Sequence, residues 1–421
     1  MSTMTSINDL VSYLTSPAVI GECWTSFRVW SPAATIAGLL SLVAPRRRET
    51  YASLSGDAGD RLHVAVASPD PAGFHRAVGK LVTHPDVLKN ITKEIERLIE
   101  VKSRRSRSTD LRWYGRQLIA IDSSDLVLGA SRELIDLYGG PGNSKGICQI
   151  AHARLIVAWD VRRKVILGWH LAPYRSNERA LLTHVIASLE KGTVVLLDRG
   201  FPSLDVITIL REHDLRFIMR VTGGKSSWRC YRHLLKRGSG IREAGVNVPG
   251  DVAPLRVVVR PWRNRGPRNG AKPEPTILLT DLDQRYFSAG TILAAYERRW
   301  TVETFFRELK VSITSVERWH SRSSARILLE IQAIFIWFLL AALVEISRLQ
   351  YANNAAKDRL SGKFVERVRL MLSTVKLLFS LFATGTCDLR AEFTLLGRYL
   401  VKPRHDRHFK RQCRSPLGRS Y

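Results

Sequence analysis

The order of apolar runs between residues 118 and 220 constrains this chain more than any other feature. Leu118-Ile119-Ala120-Ile121 has the pattern of a buried strand and runs into Asp122. Leu155–Trp159 and Val165–Trp169 flank Asp160-Val161-Arg162-Arg163-Lys164 and read as a hairpin, with Asp160 as a turn residue. Residues 177–190 have amphipathic helical spacing, and Thr193–Leu197 is a second strand that runs into a carboxylate, Asp198. A helix over about 203–213 and a strand at Arg216–Arg220 follow. Strand, hairpin, helix, strand, helix, strand predicts an α/β domain on a mixed sheet.

The pattern breaks after residue 220. Residues 221–275 carry Gly, Pro, Arg and short strand-like runs such as Leu255–Val259, and Ile277-Leu278-Leu279 resumes strand character. The stretch 221–288 therefore reads as a β-rich insertion before one long helix over about 289–311. Helical regions flank this domain. In residues 1–105, Ser31-Pro32 opens an apolar run to Val43, as a capped helix with proline at its first position does. Pro85 precedes amphipathic spacing through Ile99, and Arg46-Arg47-Arg48 lies between the two. These residues support two readings, a helical DNA-binding domain or a plain helical domain with a solvated basic loop. Residues 102–109 read as a linker between this region and the sheet. The C-terminal region, 346–421, is expected to be helical and to end in a basic tail: residues 398–421 hold eight Lys/Arg against one Asp.

Residues 327–346 approach the length of a membrane span, but Glu330, Gln332 and Glu345 interrupt them. The remaining run, Ala333–Val344, is shorter than the ~20 apolar residues a bilayer needs, so a buried core helix is expected and no membrane partner. Charge points elsewhere. Lys plus Arg number 65 against 38 Asp plus Glu, a net +27, which predicts a polyanionic partner. The five cysteines are dispersed without a CxxC, which speaks against a zinc ribbon or a disulfide framework, and a cytoplasmic, nucleoid-associated location is expected. No HExxH or GxSxG occurs, so a zincin or serine hydrolase is unsupported. Gly139–Gly146 lacks the order of a phosphate-binding loop and reads as a loop near the site.

Three acids stand out by position. Asp122 and Asp198 end predicted strands, where open α/β sheets gather their ligands. Glu303 lies on the helix after the insertion, in the segment YERRWTVETFFRELK that begins at Tyr296. Tyr296, Arg299, Glu303 and Lys310 share an arc of about 60° at ~100° per residue, beside an apolar face of Val302, Phe305, Phe306 and Leu309. Two strand-end aspartates and a helical glutamate suit hard divalent cations and phosphoryl transfer. The same spacing also suits a surface salt-bridge stripe, and spacing alone leaves both open. Glu178 opens a predicted helix, where it either caps the helix or supports the site; Asp125, three residues after Asp122, competes with it for the first position.

The spacing Y-x2-R-x3-E-x6-K, with Trp300 after the double arginine and the FFRELK ending, resembles the signature of bacterial insertion-sequence DDE transposases of the YREK family. Asp198-Arg199-Gly200-Phe201 resembles the second-aspartate motif of that family, and Asp122-Ser123-Ser124 the first. The resemblance covers about residues 110–345. It implies a ribonuclease-H-like mixed sheet with a β-rich insertion. It also implies Asp122, Asp198 and Glu303 as catalytic metal ligands for two Mg²⁺ ions, with Mn²⁺ as a substitute. Tyr296, Arg299 and Lys310 would contact DNA. Hairpin-forming members hold an unstacked base with an aromatic of the insertion, but Trp228 and Trp262 lie outside the strand just before Leu278-Leu279-Thr280, so neither is assigned that role. The implied activity is cleavage of double-stranded DNA at element ends and joining of the 3′-hydroxyl to target DNA, by a homodimer or larger assembly. A ribonuclease-H-like nuclease without strand transfer, and a catalytically silent DNA-binding descendant, are the alternatives.

Overall fold

The structure is a computed structural model that describes residues 14, 16–21, 30, 32–43, 71–105, 111–143, 146–147, 149–222, 234, 240–246, 255–261, 275–310 and 319–351. Arg46–Arg48, Trp228, Trp262 and the basic tail lie outside the described residues. The N-terminal region supplies α1 (Pro17–Ile20), α2 (Pro32–Leu42), α3 (Pro71–Thr83) and α4 (Asp86–Arg105). The last runs through Lys102–Arg105, part of the stretch expected to be a linker. Its Glu94–Arg97 ion pair and the burial of Ile91, Ile95 and Ile99 favour continuing the helix.

Next come β1 (Leu118–Gly129), α5 (Arg132–Tyr138), a two-stranded ribbon of β2 (Gly142–Asn143) and β3 (Gly146–Ile147), β4 (Ala151–Asp160) and β5 (Val165–Pro173). Then follow α6 (Glu178–Ile186), β6 (Val194–Leu197), α7 (Leu204–Glu212) and β7 (Arg216–Val221). The chain continues through β8 (Arg242–Val246), β9 (Leu255–Arg260), β10 (Thr276–Thr280), α8 (Ala289–Glu297), α9 (Trp300–Glu308) and α10 (Ser324–Tyr351).

Eight strands form one sheet in the order β5-β4-β1-β6-β7-β10-β9-β8. β1, β6 and β7 are parallel, and β4 and β5 extend them antiparallel on one side. This mixed five-strand core with crossover helices is the ribonuclease-H-like arrangement. The strands of the insertion do not stand apart from it: β10 pairs antiparallel with β7, and β9 and β8 continue outward. The hairpin turn at Asp160 is as expected, with its buried carboxylate accepting from Arg162 N and Arg163 N at 2.9 and 2.8 Å.

Alternation along each strand sorts side chains into two cores. Leu118, Ala120, Val194 and Leu196 join one with α2, α3, α4, α8, α9 and α10. Ile119, Ile121, Val195 and Leu197 join the other with α6 and α7. The N-terminal helices thus share a continuous core with the sheet. Within it, α10 is enclosed by protein: Ile334, Ile336, Trp337 and Phe338 are buried, and Trp337 Nε1 donates to Leu40 O at 2.8 Å. Its residues Ser324–Leu343 are apolar and long enough to cross a membrane, yet 83% of the most apolar window is buried inside the protein. That is the core helix expected from its interrupting acids.

Candidate active site

Asp122 sits inside β1 rather than at its end, because β4 pairs with β1 as far as Gly129. Its parallel neighbour stops earlier: β6 pairs only with Leu118–Ala120, and Asp198 follows the last residue of β6. Both aspartates therefore lie where the parallel ladder opens. By alternation Asp122 points to the layer of α8 and α9, whereas Asp125, an odd number of residues on, points to the other layer and pairs with Arg154 at 3.2 Å. The Asp125 carboxylate thus pairs with Arg154, whereas that of Asp122 pairs with Arg299.

The expected single helix over 289–311 is two. Between α8 and α9 the backbone tightens through i→i+3 bonds, Arg298 N to Ala295 O at 3.1 Å and Arg299 N to Tyr296 O at 2.9 Å. No Gly or Pro marks this junction. It coincides with the burial of Arg299 toward the acids and of Val302 and Phe305 toward the core. Phe305 stacks on Trp159 of β4 with centroids 4.8 Å apart, and Trp159 Nε1 donates to Thr301 Oγ1 at 3.2 Å. Those contacts seat α9 on the sheet, where Glu303 pairs with Arg299.

The acids meet on a guanidinium. Arg299, with a side chain only 7% exposed, pairs with Asp122 at 3.3 Å, with Asp198 at 3.7 Å, and with Glu303 through Nη2 and Oε1. Tyr296 Oη donates to Asp198 Oδ1 at 3.3 Å. Three elements far apart in sequence thus bring their carboxylates to one cation. Burial pushes the Asp122 carboxyl up to about 6, against the pull of Arg299 and of the Ser123 N–H. Burial works against the Arg299 charge, but Tyr296, Asp198, Asp122 and Glu303 outweigh it and hold it cationic. Burial, then the Asp198 charge, raises the Tyr296 phenol, so it stays a donor. Lys310 lies farther along the chain, where burial lowers its ammonium and Asp125 works in the opposite direction.

Sequence reasoning gave Ser123 no role of its own and left Glu178 between two readings. Ser123 Oγ donates to Glu178 Oε1 at 2.5 Å, and Glu178 adds its charge beside Asp122. The available signal was a glutamate one residue past the helix cap Asn177, at a helix start that faces the strand ends.

Carboxylate oxygens are the donors a hard divalent cation takes, and a positive charge already stands where these three converge. The donor type is therefore that of a hard divalent cation. Among the described residues no group of three or more His, Cys, Asp or Glu side chains lies close enough to hold a metal ion, and here Arg299 stands between the three acids.

The sheet thus carries two aspartates beside its parallel strands, and a later helix carries a glutamate that shares Arg299 with them. Residues 113–340 match the Transposase DDE domain family, and the chain belongs to it. Over 102 residues it is 29% identical to the candidate transposase InsZ of Escherichia coli (strain K12), covering 24% of this chain and 34% of that protein. It is also similar to a piggyBac transposase in a cryo-electron-microscopy structure of a synaptic complex with hairpin DNA. That likeness has 15% identity and a TM-score of 0.43, and covers 92% of this chain and 81% of the other.

Proposed function

We propose that this chain is an insertion-sequence transposase of the YREK group that cuts double-stranded DNA at the ends of its element and joins the freed 3′-hydroxyl to target DNA. The observation that carries this is the convergence of Asp122, Asp198 and Glu303 on Arg299. Those three acids would hold the metal. When bound there, Mg²⁺ or Mn²⁺ supplies activation of the attacking oxygen and stabilisation of the leaving oxygen of a phosphodiester.

The chain's own residues do the rest. Asp122 is held in β1 by its pairing with β4, Asp198 follows the last residue of β6, and Glu303 rides on the helix seated by the Trp159–Phe305 contact. Arg299 and Tyr296 donate to the carboxylates here, and the same donors would serve a phosphate oxygen of bound DNA. Lys310, two residues past the end of α9, would add a further cation for the DNA backbone. The net charge of +27 draws and holds DNA, the element ends and the target alike. A homodimer or larger assembly in the cytoplasm would bring two ends together.

Purified full-length chain incubated with Mg²⁺ and DNA carrying the terminal repeats that flank its gene should nick at the element end and produce joined products. Replacing Asp122, Asp198 or Glu303 by the matching amide should abolish both and leave the gel shift intact. Cutting without joining would identify a nuclease instead. Binding without either would identify a silent descendant.

A further inference from the structure

Adjacent residues in the first turn of α6 reach the two acid-bearing segments from the layer opposite α9. Glu178 accepts from the Ser123 hydroxyl at 2.5 Å, next to Asp122. Arg179 Nε donates to Gly200 O at 2.7 Å, two residues past Asp198. The helix itself is anchored, because the Asn177 side chain accepts from Arg179 N at 3.0 Å. Gly200 lets this contact close: a Cβ there would lie 3.2 Å from Glu178 Oε2. β1 and β6 no longer pair at this level, so no ladder bond sets the distance between the two aspartates.

We propose that Glu178 is a positioning residue of the phosphoryl-transfer centre. Through its hydrogen bond to Ser123, and with Arg179 gripping the turn after Asp198, it fixes the separation and aim of the two aspartates where the sheet has stopped doing so. The proposal rests on the transposase reading. It assigns Glu178 no contact with substrate; its effect passes through Ser123 to Asp122. Outer partners of this kind typically change metal affinity or activity about 10–100-fold when removed.

The test uses the full chain and Mn²⁺ as probe. Calorimetric titration of the DNA-free protein should show Mn²⁺ affinity weakened about 10–100-fold in Glu178→Ala, with cleavage falling in parallel and DNA affinity by gel shift unchanged. Glu178→Gln keeps an oxygen that accepts from Ser123 but loses the charge. It should recover to within about 5-fold of the original protein, since a neutral acceptor is roughly half as strong as a charged one. Equal loss in Ala and Gln would overturn the proposal, because charge and not position would then matter. Original Mn²⁺ binding and cleavage in Glu178→Ala would overturn it outright, and so would a loss that tracks only a lowered melting temperature. If Glu178→Ala does not fold, Ser123→Ala makes the same test by removing the hydroxyl alone, and should again weaken Mn²⁺ binding. An unsubstituted chain that neither binds Mn²⁺ nor cleaves sinks the transposase reading together with this one. An active chain whose Glu178 variants match it sinks this one alone.

Discussion

Arg299→Gln tests the electrostatic heart of the site. At the separations of 3.3 and 3.7 Å to Asp122 and Asp198, each pair attracts by roughly 4–5 kcal/mol at an effective dielectric of ~20. Most of that is offset by taking a guanidinium with 7% exposure out of water. Removing one partner is another matter, because the acids are left facing one another uncompensated; in buried networks this costs about 3–5 kcal/mol. Here the acid side chains are 22%, 38% and 32% exposed, so water screens part of the repulsion. The expected cost is therefore about 2–3 kcal/mol. With an unfolding entropy of roughly 0.9 kcal/mol/K for 421 residues, the melting temperature in chelator should fall by about 2–4 °C.

Divalent cations should restore it. An ion present at ~100 times its dissociation constant adds about 2.7 kcal/mol to whichever state binds it. In the unsubstituted protein Arg299 competes for the same carboxylates, so Ca²⁺ or Mg²⁺ should raise its melting temperature less than that of the variant. Thermal melts of both proteins in chelator and over a Ca²⁺ series give the comparison. A variant that melts within ~1 °C of the parent in chelator, and gains no more from Ca²⁺, would refute the idea that this guanidinium neutralises the carboxylate cluster.

Further expectations follow from the charge, a buried acid and a close packing contact. Affinity for DNA should fall with a log–log salt slope of about −0.9 per neutralised phosphate, and a nearly flat dependence would mean that the +27 charge serves another purpose. Burial pushes the Glu96 carboxyl up from its ordinary 4.5 to about 7, against the pull of Arg163 and Lys93. The folded state then binds more protons than the unfolded one between those values. Its contribution is fully present below the lower value and is lost as pH rises through about 7. Glu96→Gln should therefore stabilise the protein by about 1–3 kcal/mol at pH 8 and very little at pH 5, as read by urea unfolding at each pH. In Gly168→Ala, the new Cβ would lie 2.9 Å from the backbone carbonyl of Val185 in α6, which cannot swing aside. A cost of about 1–3 kcal/mol is expected in the same unfolding assay, and an unchanged midpoint would mean that β5 and α6 separate freely.

The sequence by itself determined the elements and the chemistry on offer. Period-2 and period-3.6 patterns identified the strands and helices between 118 and 220, because one buried face writes that period directly into the chain. It also identified the apolar face of Val302, Phe305 and Phe306, and an acid after each of two strand-like runs. Tertiary structure decided the rest. β1 continues past Asp122 because β4 offers it hydrogen bonds, a partner thirty residues away that no local pattern names. The insertion strands became sheet because β7 presented an unpaired edge to β10. The helix through Arg299 tightened at a junction without a breaker, where acids from β1 and β6 claim the guanidinium. Glu178 joined the site for the same reason. Its position on α6 was visible in the sequence, but its partner Ser123 lies 55 residues earlier. Side-chain chemistry is local and can be read from the chain, whereas which charges share a space depends on long-range pairing that only the folded sheet fixes.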